Sequence, residues 1–524
     1  MLDCKATGCG LVVARVEGLP MKLRLVLLVL VALAWTAPAA AFCGFYVSGA
    51  DGSLTNDATL VVLMRQGERT VLSMRNTYAG PPQDFAMVVP VPVVLHEANV
   101  KVLPPEVFTK VDQLTAPRLV EYWEQDPCRP IPVYAPAPMA VSEAAMADAP
   151  AEQSAERRHV KIEARFAVGE YDVVVLSAQD STGLDGWLHD NRYKIPDGAE
   201  PFLRPYVQMG MKFFVAKVNV AKVKFERVGN GPERAVLSPL RFHYDTPDFF
   251  LPVRLGLINS AGKQDLIAIV LSRTGRYEVA NYDNVAMPTN LDVADETRRQ
   301  FGGFYASLFD RVAGNNPRAV VTEYSWEATS CDPCPTPPLD DTELATLGAD
   351  VMPDDASNGG GFTLTRLHAR YGKDTLGDDL YFRPAGAITG GREQQGTQAQ
   401  PSSQNDFQAR YVIRHKWAGA VACASPQFGI WGGPPDGRDP GTTPAMNLAF
   451  AARDVDVAAL VKSPLPPGLE LSKGTPAGPP RIPPSGGCAG CATAPGGLDW
   501  ATGAFGVLVF YGITRRTRKQ GARR

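Results

Sequence analysis

The sequence predicts an α+β fold in two mixed sheet-and-helix halves, and three observations carry that reading. Strand-length β-rich runs and helix-length amphipathic runs follow one another irregularly, without the strict βαβ alternation of a doubly wound sheet. Stretches rich in Pro, Gly and Ala separate these runs into blocks. With 524 residues, 45% hydrophobic and 20% charged, the chain has material for two or three ordinary cores.

In chain order, the first block covers residues 42–128. Thr59–Met64 and Arg69–Tyr78 are β-rich runs flanking Arg65-Gln66-Gly67-Glu68, a hairpin signal. Phe85–Val94 continues as a strand whose two prolines imply an edge or a bend. Pro104–Gln125 reads as helical, with Val107, Val111 and Leu114 at helical spacing and Pro117 restarting a second helix. Cys128 closes the block, and a disulfide to Cys43 would staple its two ends. Residues 129–159, rich in Pro and Ala, form a linker or long loop.

The central block, residues 160–328, opens with strands at Val160–Val168 and Tyr171–Ser177. Short helices follow at Leu184–Asn191 and Glu200–Met209, then strands at Lys212–Val220, Pro239–Tyr244, Val253–Ile258 and Leu266–Leu271. Val293–Val312 is the best amphipathic helix, with Phe301, Tyr305 and Leu308 on one stripe. The third block, residues 329–461, is β-rich. Pro337–Leu344 looks like an acidic helix start, Phe362–Tyr371 is a strand, and Gly390–Asp406 is a polar surface loop. Phe407–Trp417 largely alternates, with Gln408, Arg410, Arg414 and Lys416 away from the apolar face, as a half-buried strand does.

The two ends speak of location. Within residues 1–41, Met21-Lys22-Leu23-Arg24 and the apolar run Leu25–Trp35 precede Ala39-Ala40-Ala41, the layout of a signal peptide. An uncleaved transmembrane anchor is the alternative, for which the run is short. Residues 1–20 resemble no export element and suggest an over-long start. At the other end a Pro/Gly stalk, residues 462–497, carries Cys488 and Cys491. A short hydrophobic anchor segment, residues 498–514, and a basic tail, residues 515–524, follow, which is the order of a stop-transfer signal. This tail resembles a C-terminal sorting signal of the myxobacterial type, which would make Cys488 or Cys491 a processing point; a plain tail anchor is the alternative.

The net charge of −3 hides a strongly acidic middle: residues 1–41 carry about +2 and 498–524 about +5, leaving about −10 between them. That balance argues against nucleic-acid binding, which wants a basic face. Nine cysteines, five of them in the folded region, are too few for a disulfide-dense scaffold.

The order and extent of five motifs, namely Cys43-Gly44-Phe45-Tyr46, Phe85–Pro92, Gly169–Leu176, Cys331–Cys334 and Leu364–Tyr371, resemble an uncharacterised bacterial secreted family, domain of unknown function 2330. The resemblance implies an exported αβ protein and brings no activity with it. The chain departs from the fuller pattern where Val47-Ser48 stand in place of a second cysteine, which leaves the pairing of Cys43 open.

Chemistry has to be sought around residues 329–384. Cys331-Asp332-Pro333-Cys334 is the CxxC of the folded region. It reads as a structural disulfide pinning a Pro-rich loop in an oxidising compartment, as a redox pair, or as half of a metal site with His368 as a lone further ligand. Alternation places Arg366, His368 and Arg370 on one strand face. Pairing with Phe407–Trp417 would add Arg410 and Arg414, making a basic strip for carboxylate or phosphate groups; a solvated face paired to local acids is the plainer alternative. No GxSxG, Walker A, HExxH or dinucleotide fingerprint stands in a credible setting, and no catalytic residue, metal ligand or cofactor is assigned. The expectation is an exported cell-envelope protein, anchored to the membrane through its tail after handling by sorting machinery. Its expected role is a non-catalytic structural or ligand-binding one, with an unidentified envelope partner or ligand and no nucleic acid. The alternative is an envelope enzyme, either a thiol–disulfide oxidoreductase at Cys331 and Cys334 or a hydrolase.

Overall fold

Strands drawn from all three sequence blocks meet in one large sheet. The structure is a computed structural model that describes residues 45–465 apart from 48–58, 76–85, 130–154, 157–159, 192, 194–197, 228–232, 258–262, 354–360, 373–374, 393–395, 439–440 and 446–450. The segments read from sequence as signal peptide, stalk with Cys488 and Cys491, hydrophobic anchor and basic tail, together with Cys43 and most of the expected linker, lie outside the described residues. Among the described residues, no helix is long and apolar enough to cross a membrane.

Among the described residues, the main sheet has eleven strands. Its centre runs Asp406–Gln408, Ala319–Glu327, Thr363–Tyr371, Gln264–Ser272, Thr59–Gln66, Arg69–Met74, Leu240–Asp245 and Val100–Val102, so the predicted blocks share one core. Gln264–Ser272 is buried at all nine positions, the pattern of a strand covered on both faces. On one face, Val61, Leu63, Ala268, Val270 and Leu367 pack against Val89, Val173, Val175 and Phe214 of a second, six-stranded sheet. On the other, Val62, Met64, Ile267, Ile269 and Leu364 pack beneath the helix Pro105–Thr115, which contributes Val107, Phe108, Val111 and Leu114. The neighbouring helix Phe301–Asn315 builds a third cluster with Val321, Tyr411 and Ile413. The helices Ser181–Asp190 and Glu200–Gln208 cover the outer face of the six-stranded sheet through Leu184, Leu188, Leu203 and Tyr206.

Local sequence explains many boundaries. The hairpin Thr59–Gln66 and Arg69–Met74 turns on Gly67-Glu68 with Gly67 at φ +55°, as a two-residue turn with glycine first requires. The helix Asp341–Leu347 starts with a reciprocal capping box, Asp340 and Glu343 each accepting from the other's backbone N–H.

Four expectations are corrected. Pro117 restarts a strand, Arg118–Glu124, and no second helix: Ala116 is already extended ahead of the proline, and Arg410–His415 offers parallel pairing over six residues. Val253–Ile258 is replaced by a short 3-10 turn at Arg254–Leu257. The helix expected from Val293 starts at Phe301, after a separate 3-10 turn at Asp295–Arg299. Phe407–Trp417 is broken into Asp406–Gln408 in the main sheet and Arg410–His415 in a five-stranded sheet, and residues 407–413 are all buried, so neither face of it is solvated.

Where Ile388–Gly390 joins the edge of the main sheet, Gly391 has φ +96°. A Cβ there would lie 2.2 Å from the Gln408 carbonyl oxygen and 2.8 Å from Thr289 Oγ1. Gly391→Ala is therefore expected to lose roughly 2–4 kcal/mol through backbone strain and collision, read as a lower urea midpoint at unchanged slope; an unchanged midpoint would show that this edge is not packed as described.

Candidate functional site

The strand Thr363–Tyr371 does place Arg366, His368 and Arg370 on a common face, the one that carries Leu364 into the core under the helices. Arg366 and His368 are 0% exposed, which corrects both the open anion-binding strip and the solvated face. The strand's neighbours are Gln264–Ser272 and Ala319–Glu327, so Arg410 and Arg414 join a different sheet and the five residues do not form one strip. The apolar helix Phe301–Asn315 covers the position solvent would have taken, with Phe309 stacked on the His368 ring at 3.8 Å between centroids.

What faces these cations is a set of acids from four other segments. Glu323 is the extra residue of a bulge in Ala319–Glu327, between the registered positions Thr322 and Tyr324. A bulge re-aims a side chain, and here it turns the Glu323 carboxylate toward the helices. Glu323 accepts from Arg366 Nε at 2.6 Å, from His368 Nδ1 at 2.5 Å and from the Tyr305 hydroxyl. Arg366 also donates to Asp112 at 2.6 Å and to Thr115 at 3.1 Å on the helix Pro105–Thr115. His368 Nε2 donates to Asp265 at 3.0 Å. Asp265 further receives Arg370 at 3.1 Å and Arg453, and Asp310 pairs with Arg453 at 2.6 Å and Arg370 at 3.3 Å.

Four carboxylates (Asp112, Asp265, Asp310, Glu323) thus meet three guanidinium groups (Arg366, Arg370, Arg453) and one imidazole, and the charges balance only when His368 is protonated. The pKa directions agree. Burial opposes the charged imidazole, but the charge of Glu323 and hydrogen bonds to Asp265 and Glu323 outweigh it and raise His368 above its ordinary value. Burial likewise opposes the Glu323 carboxylate, yet His368 and Arg366 bring it down to about 2. Asp265 is held at about 2 against burial by His368, Arg370 and Arg453. Chemically the cluster is a lock: it ties two helices, three strands and the 451–465 segment, and both ring nitrogens of its histidine are engaged.

The CxxC lies in a loop after Ala319–Glu327. Cys331 and Cys334 are joined as a disulfide, Cys334 is exposed, and Cys331 packs at the margin of the core under the helix Pro105–Thr115. The next helix starts only at Asp341, so neither sulfur lies at a helix N-terminus. Two arginines hold the loop from below: Arg118 Nη1 donates to the Pro333 carbonyl at 2.6 Å, and Arg410 Nη2 donates to the Asp332 carbonyl. Burial pulls Arg118 down to about 10. Arg392 pairs with the Asp332 carboxylate at 3.3 Å and lies over the Trp326 ring.

The second disulfide corrects the pairing expected for Cys128. Cys128 bonds to Cys423, 295 positions away, with 5.5 Å between Cα atoms. The bond fastens the 418–430 segment against the end of Arg118–Glu124, where Gln427 N–H also donates to the Pro127 carbonyl at 2.9 Å and Gly429 N–H to Glu124 at 2.7 Å. Arg414 is half-buried and paired with Asp292. Cys488 and Cys491 lie outside the described residues, and among those described no group of three His, Cys, Asp or Glu side chains is arranged to hold a metal ion.

Sequence reasoning missed Glu323 and Asp265, the two acids at the centre of the lock. A signal was present: each is a lone carboxylate at or within an otherwise apolar strand, Val320-Val321-Thr322-Glu323-Tyr324 and Asp265-Leu266-Ile267-Ala268, where burial demands a partner.

No curated protein matches this chain, and no solved structure does. A family model described as "Uncharacterized protein conserved in bacteria (DUF2330)" matches residues 37–383. Since the match spans more than half of the 524 residues, the chain belongs to that family.

Proposed function

We propose that this chain is an exported cell-envelope protein that serves a structural or ligand-holding role at the outer surface, tethered by its C-terminal tail. The observation that carries this reading is the Cys128–Cys423 disulfide. Structural disulfides form and persist chiefly where thiols stay oxidised, outside the reducing cytoplasm. The signal-peptide layout before Phe42 and the apolar-then-basic tail fit the same address. The structural role is supported by the way the most chemical-looking residues are spent: Arg366 and His368 saturate buried carboxylates, and the Cys331–Cys334 loop is bonded shut and clamped from beneath. The loop also lacks the helix N-terminus that lowers the pKa of an attacking thiol, which weighs against the oxidoreductase alternative.

Fractionation of producing cells tests the address. The intact chain is expected in the envelope and open to external protease, and a chain lacking residues 21–41 is expected to stay cytoplasmic. The Cys488→Ala, Cys491→Ala double variant should lose surface retention; full retention would rule out a tether processed at those cysteines.

A further inference from the structure

Among the described residues, four arginines have fully buried side chains: Arg118, Arg241, Arg366 and Arg410. Two of them face carboxylates, Arg241 against Asp350 at 2.7 Å and Arg366 against Asp112 and Glu323 at 2.6 Å. The other two do not: among the described residues neither Arg118 nor Arg410 has a carboxylate within ion-pair reach. They are also neighbours, since Arg410 and Arg118 are register partners on adjacent parallel strands, about 4.8 Å apart and on one face. Every group they touch is neutral. Arg118 donates to the Leu114 and Pro333 carbonyls and lies over the Tyr324 ring. Arg410 donates to Gln408 Oε1 at 3.0 Å, to the Tyr122 hydroxyl at 2.7 Å and to the Asp332 carbonyl.

The one carboxylate that acts on this pair, Asp332, does so from beyond contact with Arg118 and is exposed and already paired with Arg392, so two like charges buried side by side remain strongly unfavourable. Two donors of this group are also unused: among the described residues, Arg118 Nε and Gln408 Nε2, the latter on the side chain that holds Arg410, are buried and have no hydrogen-bond partner. Gln408 is 0% exposed, and its amide oxygen is already fixed on Arg410, so its NH2 group has no alternative acceptor there. Excess positive charge and spare N–H donors call for the same thing, an anionic oxygen.

We infer that Arg118, Arg410 and Gln408 form the floor of a site for a small oxyanion beneath the Cys331–Cys334 loop, with Arg392 at its mouth. The group recognised is a carboxylate or a tetrahedral phosphate or sulfate, whose oxygens accept from Arg118 Nε and Gln408 Nε2 and neutralise the paired guanidinium groups. The disulfide holds the loop that roofs the site. This assignment adds a ligand site to the fold and does not depend on where the protein resides.

Isothermal titration of the full chain with sodium phosphate, sodium sulfate and sodium acetate, at matched ionic strength in chloride, tests it and separates tetrahedral from carboxylate ligands. One saturable site is expected, weakened about tenfold or more in Gln408→Ala and unchanged in Arg383→Gln, which alters an exposed pair with Glu278. A direct readout needs no variant: wild-type crystals soaked in sodium selenate should show an anomalous peak within hydrogen-bond distance of Arg118 and Gln408. No saturable binding of any of the three anions together with no such peak would overturn the site, as would binding that Gln408→Ala leaves untouched.

Discussion

Replacing Cys128 by serine is expected to lower the unfolding free energy by as much as ~5 kcal/mol, the largest effect of any single change outside the buried charges. The bond joins residues 295 positions apart. In the chain-entropy account the benefit grows with the logarithm of the loop closed, so a loop this long lies near the top of the range. Its native contacts are modest by comparison, since the 418–430 segment is largely exposed. The stabilisation therefore acts chiefly on the unfolded chain. Two outcomes follow for urea unfolding without reductant. Cys128→Ser, Cys423→Ser and the double variant should share one midpoint, because either substitution removes the same bond. Reductant should bring the wild type close to that midpoint while hardly moving the variants. Unequal single variants, or a wild type indifferent to reductant, would mean that the two cysteines are not paired.

Glu323→Gln is expected to cost roughly 3–5 kcal/mol, because it leaves Arg366 and His368 buried without the carboxylate that both touch. The same cluster dictates how stability varies with pH. His368 is raised above its ordinary 6.5, so its contribution is complete below about that pH and is lost as pH rises through the raised value. Glu323 and Asp265 fall from ordinary values of 4.5 and 3.8 to about 2, so their contributions are complete above those ordinary values and disappear as pH falls toward 2. Wild-type stability should accordingly be greatest between about pH 5 and 6.5, declining on both sides. In Glu323→Gln the alkaline decline should shrink, since the largest influence raising His368 is gone. Urea midpoints measured from pH 3 to 9 check this; a variant whose profile runs parallel to the wild type would place the charged histidine elsewhere.

Much of the fold was legible because it follows from local chemistry. The helix at Pro105–Thr115, the hairpin at Gly67, the capping box at Asp340 and the face shared by Arg366, His368 and Arg370 all obey periods of two or 3.6 and short-range capping rules. Whether that polar face met water was not legible. A run of alternating cations ordinarily marks a solvated surface, and the acids that make burial tolerable here come from positions 112, 265, 310 and 323, brought together only by the sheet order and by a bulge. The same limit explains Arg118–Glu124, which carries helix-compatible spacing yet becomes a strand because Arg410–His415 lies beside it. It explains Cys128 too: sequence proximity to the block's own boundary suggested Cys43, while the backbone brings Cys423 within bonding distance. The candidate anion floor was half visible. Its alternation marks Arg410, but its true neighbour Arg118 stands almost three hundred positions earlier, and the spare donor on Gln408 is apparent only once burial is known.

Peptide mass spectrometry of the protein taken from intact cells tests the proposed oxidising location most directly. Free thiols are blocked with an alkylating agent before digestion without reductant. The expected result is a cross-linked pair containing Cys128 and Cys423 and an internally bonded peptide containing Cys331 and Cys334, with none of the four alkylated. Alkylated Cys128 and Cys423 in protein from intact cells would contradict both the staple and the oxidising location inferred from it.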